Sequence, residues 1–175
     1  MEERKVMRTK SPRIDTREYA WSSKLKHKDI QMFGKKTITK NSHIWGQILM
    51  DRAMLKGKHV WNIVIDKDSC GSKYIGVCAP TKRFDQVLTS NCSFEFFAYR
   101  SHKGNKISAS GGEEAYAKSY GRGDVITISL VFQNHKGTLS FAKNDEDQGV
   151  AYEDLKPPLY PMVSLYRGDQ LSILD

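Results

Sequence analysis

The sequence predicts an all-β fold, two antiparallel sheets packed face to face, on three observations. The first is the run from Gly123 to Leu174. There Val125, Ile126, Ile128, Leu130 and Phe132 lie in a β-rich stretch, and Leu139 and Phe141 resume apolar alternation after a turn at Gln133 to Gly137. The second is spacing. A turn at Asn144 to Gly149, then Val150 to Leu155, Pro158 to Leu165 and Gln170 to Leu174, gives short β-type runs divided by polar, glycine-containing turns, as in a sandwich or barrel. The third is the lack of any amphipathic stretch of about ten residues or more with helical period.

The earlier runs fit the same class. Tyr19 and Trp21 are the first residues that favour burial, and Lys24 to Asn41 sets Leu25, Ile30, Met32, Phe33 and Ile38 among lysines, as suits short edge strands. His43 to Met50 is strand-like, Asp51 to Gly57 is a polar connection, and Lys58 to Ile65 alternates as a strand. Lys73 to Ala79 forms the next strand, with Gly76 marking a bulge or a close backbone approach. Pro80 to Ser93 is a long loop whose Phe84, Val87 and Leu88 are either pinned to the core or offered to a ligand. Phe94 to Arg100 and Lys106 to Ser110 are strands, and Ser108 to Gly123 reads as irregular, anchored by Tyr116 and Tyr120.

At 175 residues the chain matches the ~100–200 residues of a typical domain. The expected division is a basic arm over residues 1–18 and a single β-sandwich domain over residues 19–175. The longest apolar stretches are a few residues, against the ~20 that span a bilayer, and the charged start lacks the apolar segment of a signal peptide. A soluble, monomeric, intracellular protein, cytoplasmic or nuclear, is expected. The chain is expected to be an excised domain or to act alone, since the sequence to Asp175 contains no RING, SOCS-box or membrane segment.

Charge is divided unevenly: 15 Lys and Arg against 6 acids up to residue 58, and 13 against 14 beyond it. The arm, with Arg4, Lys5, Arg8, Lys10, Arg13 and Arg17 among few apolar residues, has the composition of a solvated tail. The same cations could hold the phosphates of nucleic acid or of an anionic membrane. Cys70, Cys78 and Cys92 are odd in number and lack the two-residue spacing of a metal pair, so neither disulfide nor zinc is expected. Asp66 to Gly71 begins like a calcium loop, but Val77 stands where a bidentate Glu is needed, and a plain turn is the better reading. The five histidines are scattered, with no Gly-x-Ser-x-Gly elbow, no His-Glu-x-x-His pair and no phosphate-binding glycine loop before a helix. No catalysis and no cofactor are expected.

Six blocks in series carry a family resemblance. They are Gly57 to Trp61, Tyr74 to Val77, Gly123 to Ile126, Gly137 to Asn144, Gly149 to Tyr152 and Leu159 to Val163, and in this order and spacing they resemble the SPRY domain over about residues 29–174. The resemblance implies a bent β-sandwich of two antiparallel sheets, used for protein recognition without catalysis. Trp61, Phe141 and Tyr160 are expected in the core, Trp61 bridging the sheets and Gly137 permitting a turn between paired strands. Two departures are Asn62, where many members carry an acid, and Asn144-Asp145, where many have Asn-Gly; the latter opens an acidic loop over Asn144 to Gln148, a solvated tip or a contact for a basic partner.

Carried over from flanking motifs, the resemblance implies a partner-binding loop face made of Lys35, Lys36, Ser72, Phe84, Leu88, Tyr166, Arg167 and Gly168. Tyr166 can stack on a ligand or close the end of the sandwich, and Arg167 favours an acidic residue in the partner. The expected partner is a protein or a linear peptide motif, with recruitment to a ubiquitin ligase as one example of use. The alternative is nucleic-acid or anionic-phospholipid contact through the basic N-terminal third.

Overall fold

The structure, a computed structural model, describes residues 13–15, 17–69 and 71–175. Most of the arm expected over residues 1–18 and one of the three cysteines, Cys70, lie outside the described residues. The first strands are β1 (Trp21–Lys26), β2 (Ile30–Phe33), β3 (Thr37–Lys40), β4 (Gly46–Met50), β5 (Gly57–Lys67), β6 (Tyr74–Cys78) and β7 (Phe96–Arg100). There follow β8 (Asn105–Ser108), β9 (Gly112–Ala115), β10 (Val125–Gln133), β11 (Lys136–Lys143), β12 (Glu146–Leu155), β13 (Tyr160–Leu165) and β14 (Gln170–Leu174). Among the described residues the only helical element is a 3-10 turn at His102–Gly104.

The strands form two seven-stranded antiparallel sheets, ordered β1-β4-β13-β6-β7-β8-β9 and β12-β11-β10-β5-β14-β3-β2. In β5, β10 and β11 every second side chain is buried, as the sequence alternation demands of strands with one wet face. Their inward residues, Trp61, Ile63, Ile65, Ile126, Ile128, Leu130 and Phe141, meet Ile48, Ile75, Val77, Tyr99 and Val163 of the other sheet in the main core. In β4 and β6 every position is buried. The second face of that sheet supports its own cluster, Leu49, Tyr74, Cys78, Phe96, Ala98 and Met162, covered by Leu88 and Phe94 from the long β6–β7 loop. Covering both faces of the sheet explains the unbroken apolar runs of these strands.

Four local expectations are corrected. The segment from Ser108 to Gly123 contains β9, paired to β8 from Asn105↔Ala115 to Ser108↔Gly112; its Gly-Glu-Glu-Ala sequence is mostly exposed, so no apolar alternation announced it. Tyr116 and Tyr120 do anchor the rest, the Tyr116 hydroxyl donating to the Gly149 carbonyl at 2.5 Å and that of Tyr120 to the Tyr99 carbonyl at 2.7 Å. The β10–β11 turn is made by Asn134 and His135, both left-handed with φ of 50° and 61°. Gly137 lies one residue inside β11 and is required by packing, since a Cβ there would stand 2.9 Å from Phe132 Cε1.

The acidic loop over Asn144 to Gln148 contracts to a tight turn at Asn144-Asp145, with Glu146 and Asp147 already in β12. Asn144 holds the turn by accepting from the Val125 N–H and donating to Asp124, each at 2.8 Å. Tyr160 is half-buried against the outer cluster rather than in the main core. Gly76 keeps its register with Ala98, so it is a close approach and no bulge: a Cβ would fall 2.0 Å from the Phe97 carbonyl oxygen.

Candidate functional site

Three connections gather at one end of the sandwich: residues 41–45 between β3 and β4, 68–73 between β5 and β6, and 166–169 between β13 and β14. Their common support is Asp169, which is fully buried. Its carboxylate accepts from the N–H of Tyr166 at 3.0 Å and of Ser69 at 3.3 Å. It also lies 3.4 Å from the ammonium of Lys73, itself fully buried and paired with Asp68. Buried charges persist only when paired and hydrogen-bonded, so these groups hold two loops in one arrangement. Lys40 adds backbone bonds, donating to the Asp169 carbonyl at 3.1 Å and accepting from the Gly168 N–H at 2.8 Å. Gly168 has φ of +83° and faces Ser69 too closely for a side chain, so glycine is required there.

Beneath the 41–45 connection the Lys40 ammonium is buried as well, bonded to Ser42 and 3.9 Å from Asp29. Burial pushes its pKa down, and burial and the Lys40 charge push His27 down. A hydrogen bond to Ser42 lowers Asp29.

On this frame stands a chain of ring contacts. Tyr166 is half-buried, its ring 5.3 Å from Trp45 and 6.2 Å from His43. Trp45 in turn lies 5.4 Å from Tyr74. The Arg100 guanidinium covers Tyr74 at 5.6 Å, donating also to Ser72 Oγ at 3.1 Å and to Glu113 at 2.8 Å. Arg167 is exposed, contacts His43, and with His43, Ser69, Tyr166 and Gly168 lines a concavity of about 310 Å³. Ile44 beside it is 51% exposed. Such a surface offers ring faces for stacking, a guanidinium for an anionic group and fixed backbone for hydrogen bonds.

Ser72, Tyr166, Arg167 and Gly168 are thus brought together, while Phe84 is half-buried against the outer cluster. Its carbonyl accepts from the Gln47 N–H at 2.9 Å, and buried Gln47 also bonds Gln86 and Ser164, tying the long loop to β4 and β13. Leu88 is fully buried in the outer cluster; it is pinned to the core, the first of its two alternatives, and is not offered on the loop face. Lys35 and Lys36 lie elsewhere. β3 pairs Thr39 with Gln170 near the Tyr166 loop but Thr37 with Ser172, which carries both lysines to the opposite end. There their carbonyls accept from the Trp21 N–H and indole at 2.9 and 2.8 Å, and Lys36 pairs with Asp175 at 2.7 Å. Sequence reasoning missed His43, Trp45, Tyr74, Arg100 and Asp169. The available signal was His43-Ile44-Trp45, two rings and an aliphatic directly before a strand.

Comparison with known proteins places this architecture. The SPRY domain profile matches residues 58–175. The Ran-binding proteins 9/10 homolog of Drosophila melanogaster is 32% identical over 92 residues, covering 53% of this chain and 9% of that protein. Ran-binding protein 10 of Danio rerio is 35% identical over 69 residues, covering 39% and 11%. The matched part is thus about a tenth of the length of these curated relatives. Among solved structures, the SPRY domain of human HERC1 superposes with a TM-score of 0.74 at 27% identity, covering 89% of this chain and 97% of that one. The TRIM65 PSpry domain, at 13% identity and TM-score 0.66 over 91% of both chains, shares the fold. With its profile, its two-sheet sandwich and its block order in agreement, the chain belongs to the SPRY domain family.

Proposed function

We propose that this domain is a non-catalytic interaction module that docks a short peptide segment of a partner protein on the face formed by Trp45, Tyr166 and Arg167. One observation carries the reading: a run of touching rings and guanidinium groups, supported by buried Asp169 and Lys73, ends in an open concavity. A rigid frame lowers the ordering cost of binding, and aromatic and arginine side chains dominate interface energetics. The name Ran-binding, carried by the relatives, is in keeping with a protein partner, and delivery of that partner, as adaptor or scaffold, for instance to a ubiquitin ligase, is the cellular use proposed.

The alternative, phosphate contact through the basic first third, finds less support among the described residues. Several of those cations are committed: Arg17 to Asp15, Lys36 to Asp175, Lys40 in the interior and Arg52 over the Tyr19 ring. The test is capture from a native lysate by wild type and Tyr166→Ala at low and moderate salt. Loss of capture in a variant that still melts cooperatively is expected, with little salt dependence in the wild type. Undiminished capture by Tyr166→Ala would remove this face from the proposal.

A further inference from the structure

The opposite end of the sandwich carries a groove of about 600 Å³, lined by Arg13, Ile14, Leu55, Lys56, His59 and Phe132 among others. It arises from a strand that is only half covered. β14 pairs with β5 from Asn62 to Lys67, leaving that edge open toward Gly57. Residues Arg13–Asp15 take the open edge through a parallel bridge of Ile14 to Lys58. Lys58 N–H donates to the Arg13 carbonyl and Asp15 N–H to the Lys58 carbonyl, each at 2.9 Å.

In such a bridge the N–H and C=O of the middle residue face away from the covered strand. Those of Ile14 find no hydrogen-bond partner among the described residues, and its side chain is 61% exposed. Leu55, also on the groove, is 58% exposed. Single exposed aliphatics are ordinary, but two on one concavity beside an unpaired edge have the makings of a strand-docking site.

Charge decides what fits. Asp15 is chelated by Arg17 through bonds of 2.9 and 2.5 Å, while Arg13 and Lys56 have no acidic partner among the described residues. The groove is therefore apolar with an excess of positive charge. Buried His59 leaves one further group unfilled. Its Nε2 meets the Lys56 carbonyl at 2.9 Å and must donate to it. Nδ1 is then an acceptor without a hydrogen bond, 3.5 Å from the Asp15 carboxylate.

We propose that this groove is a second docking surface, which receives an extended acidic segment of a partner protein, paired edge-on to Ile14 with an aliphatic side chain against Leu55 and its carboxylates toward Arg13 and Lys56. It lies roughly 30 Å from the Tyr166 face along the eleven residues of β5, so both surfaces can be occupied together.

The probe is a fluorescein-labelled decapeptide of Glu and Asp with a central Leu-Ile pair, read by fluorescence polarisation at ~0.15 M salt and by amide chemical shifts of the full chain. Saturable binding is expected, with the largest shifts at Ile14, Leu55, Lys56 and Phe132. Arg13→Glu with Lys56→Glu should weaken it by about tenfold or more, as should Ser in place of the Leu-Ile pair. Both substituted positions are exposed, so the fold is not at stake, and Tyr166→Ala should bind as the wild type does. Equal binding by the charge-reversed variant, shifts confined to the Tyr166 loop, or retention of phosphatidylserine vesicles without peptide binding would overturn the proposal. So would shifts at the groove produced without peptide when Arg4, Lys5, Arg8 and Lys10 are changed to Ser, since residues 1–12 would then be its occupant.

Discussion

Asp169 carries more of the candidate site than any residue that a partner would touch. It is fully buried, and its carboxylate joins the Tyr166 and Ser69 amides to the Lys73 ammonium. Asp169→Ala leaves a buried cation half-paired and two amides unfilled, and a loss of about 3 kcal/mol is expected by urea unfolding, together with loss of partner capture. Tyr166→Ala removes a half-buried ring from contact with Trp45, and about 1 kcal/mol or a little more is expected, small beside its effect on capture. The difference between these residues was not legible in the sequence. An aromatic beyond a strand announces itself, whereas Asp169 is one of two acids in Arg-Gly-Asp turns, and only the fold distinguishes it by burying it.

The β6–β7 loop is the element whose reading changed most. Its length and polarity suggested a surface feature, yet Leu88 and Phe94 from it close the outer cluster, and Gln47 ties its backbone to β4 and β13. Leu88→Ala should cost about 2–4 kcal/mol in urea unfolding, as a core leucine does; a change under about 0.5 kcal/mol would return it to the surface. The strands themselves were legible because β5, β10 and β11 alternate in sequence as they do in burial. Where alternation was absent, as in exposed β9, the strand was missed. Turns were placed within a few residues, and Asn144-Asp145 supply left-handed residues at the place where many family members have Asn-Gly. The chemistry of the β10–β11 turn was misassigned: Asn134-His135 supply its left-handed residues, and Gly137 serves packing. Gly137→Ala should therefore destabilise by about 1–3 kcal/mol through contact with Phe132.

For the whole molecule, two buried imidazoles set a pH dependence. Burial lowers the pKa of His27, where the Lys40 charge adds, and of His59, from 6.5. The unfolded chain therefore binds protons before the folded one as pH falls through 6.5, and stability decreases on the acid side. Urea midpoints should fall between pH 7.5 and pH 5.5, with His59→Gln flattening part of the slope; a midpoint that rises toward pH 5.5 would show the imidazoles stabilised in the charged form. The family and the two-sheet architecture were readable from six blocks because most of those blocks carry core residues such as Trp61, Ile75, Ile126, Phe141 and Ala151, and core is what alternation and glycine spacing encode. The loop face was half readable. Tyr166, Arg167, Gly168 and Ser72 were named from the sequence while Trp45, Tyr74 and Arg100 were not, and whether Lys35 and Lys36 share an end with Tyr166 depends on the register of β3 against β14, which no local pattern fixes.

The central claim is that partners dock on the Trp45–Tyr166–Arg167 end. Its most direct test is backbone hydrogen exchange of the domain, free and in the complex it captures from cells. Protection gained in residues 41–45, 68–72 and 166–169, with the Lys35-Lys36 turn unchanged, is the predicted result. A complex that protects none of those three connections would contradict it.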